Sequence, residues 1–135
     1  MAEAGNWLIP VLSVIADSGS ADLAVTYVGL EGSTHHLQLL RTSQDPMLAD
    51  VISPCDIYVD AKTFIPTKLI YNLHPPANLQ ARIPAEVTYS DWRTVGGLAI
   101  PFDIKYSVRG HVLTEYQIQS FAINVGISED AFSIR

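Results

Sequence analysis

The sequence has few basic residues and no cluster of them. Lysine and arginine together number 8, against 14 aspartates and glutamates, which gives a formal net charge of −6. A protein that binds nucleic acid needs clustered lysine and arginine to displace the counterions of the phosphates. We therefore expect neither nucleic acid nor an anionic membrane surface as a partner.

The chain also lacks a second cysteine and a long apolar run. Cys55 has no partner for an internal disulfide, so the fold does not rest on one. The longest apolar stretch, Trp7–Ala16, contains Pro10 and is well short of the roughly 20 residues that a membrane-spanning helix needs. No basic residue precedes this stretch, so it does not resemble a signal peptide. We expect no membrane span, and we interpret residues 1–5 as an artificial start fused to an internal fragment.

Motifs for catalysis and metal binding are missing as well. The sequence contains no Gly-x-Ser-x-Gly motif of the kind that presents a nucleophilic serine. His35 and His36 are adjacent, so on a strand they point to opposite faces and cannot bind one ion together. His74 and His111 stand at turns. The sequence therefore predicts a protein that is not an enzyme and has no metal site and no cofactor.

What the chain does have is the composition of one globular domain. It is 135 residues long, 48% hydrophobic and 16% charged, with no repeat or linker, so residues 1–135 are expected to form a single domain. Near the N-terminus, Trp7, Val11, Val14 and Ile15 have the spacing of one helix face. This spacing predicts one short helix that ends by about Ser18.

After Ala21 the pattern changes to strands and turns. The clearest segment is Leu98–Arg109, where apolar and polar residues alternate, as on a strand with one dry and one wet face. No connection is long enough for a helical crossover, which favours an antiparallel meander of seven strands. The predicted strands are Ala24–Leu30, Thr34–Thr42, Cys55–Asp60, Pro66–Leu73, Ala85–Arg93, Leu98–Arg109 and Val112–Gln119. The predicted connections are turns at Glu31–Ser33, Val95–Gly97 and Arg109–His111, a loop at Gln44–Pro54, and a bulge or strand end near Ser120.

The apolar face of this sheet has two interpretations. It is either the closed core of the domain or, on a curved sheet with one short helix to cover it, a groove for an apolar ligand. Four tyrosines lie in the apolar phase, and a tyrosine hydroxyl needs a hydrogen-bond partner, which suits the rim of a partly wet cavity. The residues predicted to form a hydrophobic ligand-binding face are Leu69, Tyr71, Val87, Tyr89, Phe102, Ile104, Tyr106, Tyr116 and Ile118.

Several short motifs resemble the C-terminal half of periplasmic lipoprotein carriers, the LolA/LolB-like, outer-membrane lipoprotein-sorting type. They combine an acid-flanked strand, a turn that closes on Ile-Pro, and a Tyr-Ser-Asp-Trp-Arg hairpin that continues into Ile-Pro-Phe. The segments that carry the resemblance are Tyr27–Gly32, His35–Leu40, Asp56–Asp60, Phe64–Pro66, Leu69–Tyr71, Val87–Arg93, Val95–Leu98, Ile100–Phe102, Val112–Asn124 and Ser128–Phe132.

The resemblance implies a strongly curved, incomplete half barrel that accepts an acyl chain or another apolar ligand in the periplasm or cell envelope. Members of that family are longer and have more N-terminal strands, so fewer strands here imply a smaller cavity. The alternative is a structural or protein-interaction domain with a closed core and no ligand. In either case the unpaired edges of an open sheet are expected to recruit another strand, including one from a second copy.

Overall fold

The computed structural model describes residues 23–52, 54–121 and 126. The predicted all-β meander is confirmed: one antiparallel sheet has seven strands, and each pairs with the next along the chain. The predicted N-terminal helix lies outside the described residues. The strands are β1 (Leu23–Glu31), β2 (Thr34–Arg41), β3 (Cys55–Asp60), β4 (Pro66–Leu73), β5 (Ile83–Val95), β6 (Leu98–Val108) and β7 (His111–Gln117).

The three hairpin turns are tight and follow from local sequence. Gly96 and Gly97 join β5 to β6 with φ values of 58° and 85°. Two successive residues with positive φ give a hairpin the right-handed twist of its strands, and glycine adopts this conformation without strain. The connection at Glu31–Ser33 is shorter than predicted, because Glu31 pairs with Thr34 and is the last residue of β1.

The predicted loop at Gln44–Pro54 is wrong in one respect. Residues Met47–Ile52 form a single π-helical turn. Asp45 starts it: its side-chain Oδ1 accepts a hydrogen bond from the Met47 amide at 2.9 Å, and its carbonyl accepts one from the Ala49 amide at 3.0 Å. An aspartate followed by a proline is a recognised signal for the start of a helix. Asp45 and Pro46 have this pattern, which the prediction of a loop did not use.

The strand register separates an apolar face from a polar face. One cross-strand row runs through Leu37, Ile57, Leu69, Val87 and Tyr106, each opposite the next. The buried cluster on this face consists of Leu39, Ile57, Leu69, Val87, Tyr89 and Ile104, and we call it the core cluster.

A bulge in the hairpin of β6 and β7 places one residue on the face opposite to the predicted one. The register changes between Tyr106 and Ser107, so Val112 pairs with Ser107, on the polar face. In the sequence Val112 alternates in phase with Tyr116, which predicts it on the apolar face. This prediction is wrong, because the extra residue of a bulge reverses the alternation. Beyond it, Tyr116 pairs with Ile104, in the predicted phase. Strand β7 ends at Gln117, close to the predicted end near Ser120.

Candidate ligand-binding face

The nine residues predicted for the ligand-binding face divide into two groups by burial. Five of them, Leu69, Val87, Tyr89, Phe102 and Ile104, are buried, and Val87 is 0% exposed. The other four are half-buried and pack against the core cluster: Tyr71, Tyr106, Tyr116 and Ile118.

Sequence reasoning missed several members of this face. Leu39 and Ile57 belong to the core cluster, and Cys55 and Trp92 pack against it. The alternation of Ile57 with Asp56 was enough to predict Ile57 on the apolar face. No such alternation predicts Trp92 there. Asp91 has a φ of 50°, so the backbone turns there. Trp92 reaches the cluster although it is three residues after Tyr89 and so out of the period-two phase. A left-handed aspartate within a strand is not visible as a pattern of hydrophobicity.

The tyrosine hydroxyls on this face lie in apolar surroundings. Burial raises the pKa of Tyr71, and a hydrogen bond with Tyr106 contributes to the same effect. Burial also raises the pKa of Tyr89, with smaller contributions from Cys55 and Tyr71, so these groups lie near one another. The pKa of the Cys55 thiol is raised to about 12, again mainly by burial. The thiol is therefore protonated and a poor nucleophile at neutral pH.

Two hydrogen-bond donors on the face have no acceptor. The Tyr89 hydroxyl and the Trp92 Nε1 are shielded from solvent and have no hydrogen-bond partner among the described residues. Their rings are neighbours, with centroids 6.2 Å apart. A buried donor without an acceptor costs roughly 1–3 kcal/mol, so native proteins seldom retain one without a use for it.

A cleft lies at the same end of the sheet, where β5, β6 and the end of β7 meet. Its volume is about 510 Å³. The Arg93 guanidinium sits 4.2 Å from the centroid of the Phe102 ring, and Arg93 Nε donates to Asp91 Oδ1 at 3.0 Å. The residues that line the cleft are Asp91, Arg93, Phe102, Asp103, Gln117, Ile118 and Gln119. Phe102 and Ile118 are thus both part of the predicted face and part of an open cleft beside it.

The polar face carries a cluster around His36. Its Nδ1 lies 2.8 Å from Glu31 Oε1, and its Nε2 lies 2.8 Å from Asp56 Oδ1. The neighbouring His35 pairs with Val59 and stacks on Phe64 with ring centroids 6.1 Å apart, so the two histidines occupy opposite faces, as predicted. Within the described ranges no group of three or more histidine, cysteine, aspartate or glutamate side chains is arranged so that it could hold a metal ion.

The comparisons with known proteins give no relative. No protein-family model matches the chain, and neither a curated protein nor a solved structure matches it. None of the helices in the described part of the chain is long and apolar enough to cross a membrane.

Proposed function

We propose that this protein is a non-catalytic carrier that holds an acyl chain or a similar apolar ligand on the apolar face of its sheet. In this proposal the sheet is strongly curved, an incomplete half barrel of the LolA/LolB-like type, and it works in the periplasm or cell envelope. The short motifs of the sequence support the family, and the continuous apolar row across β2 to β6 supports the binding face.

The observation that carries the proposal is the pair of unsatisfied donors at Tyr89 and Trp92. A ligand that has an apolar chain and a carbonyl or carboxylate group fits this arrangement. Its chain replaces contacts with water by contacts with apolar side chains, which favours binding by about 25 cal/mol per Å² before the costs of association. The oxygen of the ligand accepts the hydrogen bonds that the Tyr89 hydroxyl and the Trp92 indole N–H do not make within the described part of the protein.

The half-buried residues support an entry route. Four residues pack against the core cluster and remain partly exposed: Tyr71, Tyr106, Tyr116 and Ile118. Tyrosine suits such a position because its ring is apolar and its hydroxyl tolerates water. A ligand enters by displacing these rim side chains, whereas the fully buried Leu69, Val87 and Ile104 form the floor.

A second candidate is a closed-core interaction domain without a ligand. The burial of Leu69, Val87 and Ile104 to 2% exposure or less favours it, because a groove that is ready to bind leaves more of its floor in contact with water. The two candidates differ in the role of the two donors. In a carrier, Tyr89 and Trp92 donate to the ligand, whereas a closed core gains nothing from leaving them unsatisfied.

The test is an equilibrium titration of the protein with a fluorescent fatty acid and, in competition, with an unlabelled fatty acid and an alkane of the same chain length. A carrier binds the acid saturably and prefers it to the alkane, because only the acid offers an acceptor. An absence of saturable binding of either compound contradicts the proposal and favours the closed-core domain.

A further inference from the structure

Among the described residues, the outer edge of the first strand has no pairing partner, and its only charged residue, Glu31, stands at its end. Strand β1 is terminal in the strand order and pairs only with β2 among the described residues. In an antiparallel ladder every second residue turns its N–H and C=O away from its partner, so the outer side of β1 presents a row of backbone groups. Such a row is a template for another extended strand.

The side chains of β1 do little to protect this edge. From Leu23 to Leu30 the strand contains no charged residue and no proline, which are two of the common means of blocking an edge. Its exposed apolar side chains are Val25, Tyr27, Val28 and Leu30. The opposite edge, β7, carries Glu115 at its centre, 3.2 Å from the ammonium of Lys105. Of the two edges of the sheet, β1 is therefore the better template.

We propose that two copies of this chain associate by pairing their β1 strands antiparallel, in a register centred on Val25. This register places Val25 opposite Val25 of the second copy, and Leu23 opposite Tyr27. Val25 also pairs with the buried Leu39 of its own chain, and it is 48% exposed. The apolar row therefore runs from Leu39 through Val25 to its counterpart and on to the second Leu39. The pairing covers an edge that the monomer leaves open.

The bulge in β1 sets the limit of this pairing. The register of β1 against β2 shifts between Tyr27 and Gly29, so Leu23–Tyr27 is the regular part of the edge, and this five-residue segment is centred on Val25. No charged side chains stand opposite each other within the paired segment Leu23–Tyr27. The two Glu31 carboxylates lie about 40 Å apart at roughly 3.3 Å per residue, far beyond the Debye length of about 8 Å at physiological salt. A two-fold pairing also closes on itself, whereas β1 on β7 generates an open filament.

The first test compares Val25→Lys with the matched control Val112→Lys by sedimentation equilibrium of the full chain. Both residues are exposed valines on terminal strands, 48% and 57% exposed respectively. A lysine at position 25 brings two like charges face to face at the centre of the pairing and weakens the dimer by roughly tenfold or more. Val112→Lys leaves the dimerisation constant unchanged. A monomeric parent chain at millimolar concentration, or equal effects of the two substitutions, overturns the proposal.

The second test fixes the register by cross-linking Val25→Cys and Tyr27→Cys with diamide, each in a Cys55→Ala background. Opposed residues of an antiparallel pair have Cβ atoms about 4.5–5.5 Å apart, close to the separation that a disulfide spans. Two cysteines at position 25 lose two electrons and two protons to diamide and form an interchain disulfide. Two cysteines at position 27 are about 13 Å apart in this register and stay reduced. Cross-linking at 27 but not at 25 contradicts the register, and none at either position contradicts β1 pairing.

Discussion

The imidazole ring of His36 lies nearly flat against the ring of Tyr58, with centroids 4.5 Å apart and planes inclined by 13°. The other groups around this pair are charged: Glu31 on β1, Asp56 on β3 and Lys68 on β4, whose Nζ is 4.0 Å from the centroid of the Tyr58 ring. Since both imidazole nitrogens face carboxylate oxygens at 2.8 Å, only the doubly protonated ring donates to both. The His36 side chain is 14% exposed, but Glu31 is 56% and Asp56 31% exposed, so water competes more for the contact with Glu31 than for the contact with Asp56.

The first prediction concerns the pH dependence of stability. The pKa of His36 is raised above 6.5, chiefly by the hydrogen bond with Asp56 and further by Glu31, against an opposing effect of burial. The histidine therefore contributes stability that is fully present below the unfolded-state pKa of about 6.5 and is lost as pH rises through the folded-state pKa. Urea unfolding between pH 5.5 and 8.5 measures this contribution as the difference in the free energy of unfolding between the parent chain and the His36→Gln variant.

This difference should be constant at the acidic end and shrink as pH rises. The control is His111→Gln. This histidine begins β7, the strand at the other edge of the sheet from β1 and β2. A difference for His36→Gln that stays flat over the whole range, or that grows with pH, contradicts the assignment of His36 as the bridging imidazolium.

The second prediction compares two tyrosines of the apolar face. Tyr89→Phe removes a buried hydroxyl that has no hydrogen-bond partner in the described part of the chain, so the free energy of unfolding stays the same or rises by about 1 kcal/mol. Tyr71→Phe removes a hydroxyl that is hydrogen-bonded to Tyr106, so it lowers the free energy of unfolding by about 1 kcal/mol.

The binding of a fatty acid by Tyr89→Phe distinguishes a carrier from a domain with a closed core. Under the proposed function Tyr89→Phe weakens the binding of a fatty acid while it leaves the protein at least as stable, the trade-off expected of a functional polar group. Equal destabilisation by Tyr89→Phe and Tyr71→Phe in chemical denaturation would instead mean that the Tyr89 hydroxyl already has a partner.

Most of the strand order was predictable because it depends on local signals. The period-two alternation of Leu98–Arg109 predicted β6, and the Gly96–Gly97 pair predicted the turn before it. The positions of Trp92 and Val112 were not predictable in this way. Each depends on a backbone irregularity that changes which face the neighbouring side chains occupy. For Trp92 it is the left-handed Asp91, and for Val112 it is the bulge of β7 opposite Tyr106 and Ser107.

The candidate site was predictable only in outline. The tyrosines in the apolar phase were predictable from sequence, because they alternate with polar residues along their strands. Which hydroxyl is hydrogen-bonded depends on distances across several strands, which alternation does not encode. Tyr71 bonds with Tyr106, whereas Tyr89 has no acceptor among the residues that the structure describes. The His36 cluster was missed for a similar reason, since Glu31 and Asp56 reach it from two neighbouring strands.

The third prediction concerns a strained turn. Phe64 has a φ of 57° and is 70% exposed, so it adopts a left-handed conformation without gaining burial. Phe64→Gly should raise the free energy of unfolding by about 1 kcal/mol, because the left-handed region is costly for a residue with a Cβ atom. Leu98→Gly is the control, an exposed apolar residue in a strand, and it should lower stability by about 1 kcal/mol. A loss of stability in Phe64→Gly would show that the Phe64 ring contributes more than its backbone costs.

The fourth prediction tests the floor of the face. Ile104 is 1% exposed and belongs to the core cluster. Ile104→Ala should lower the free energy of unfolding by about 2–5 kcal/mol, as in other buried large-to-small substitutions. A thermal melt of the variant measures this loss, and a change below about 1 kcal/mol would contradict the placement of Ile104 in a closed floor.

The most direct test of the carrier proposal follows the indole N–H of Trp92 by ¹⁵N-correlated NMR while a medium-chain fatty acid is added to the full chain. The chain has two tryptophans, and a Trp92→Phe sample assigns the resonance. The proposal predicts that the Trp92 indole proton moves downfield and saturates with the ligand, because a ligand oxygen accepts its unsatisfied hydrogen bond. An indole resonance that does not move at saturating fatty acid would contradict the proposal.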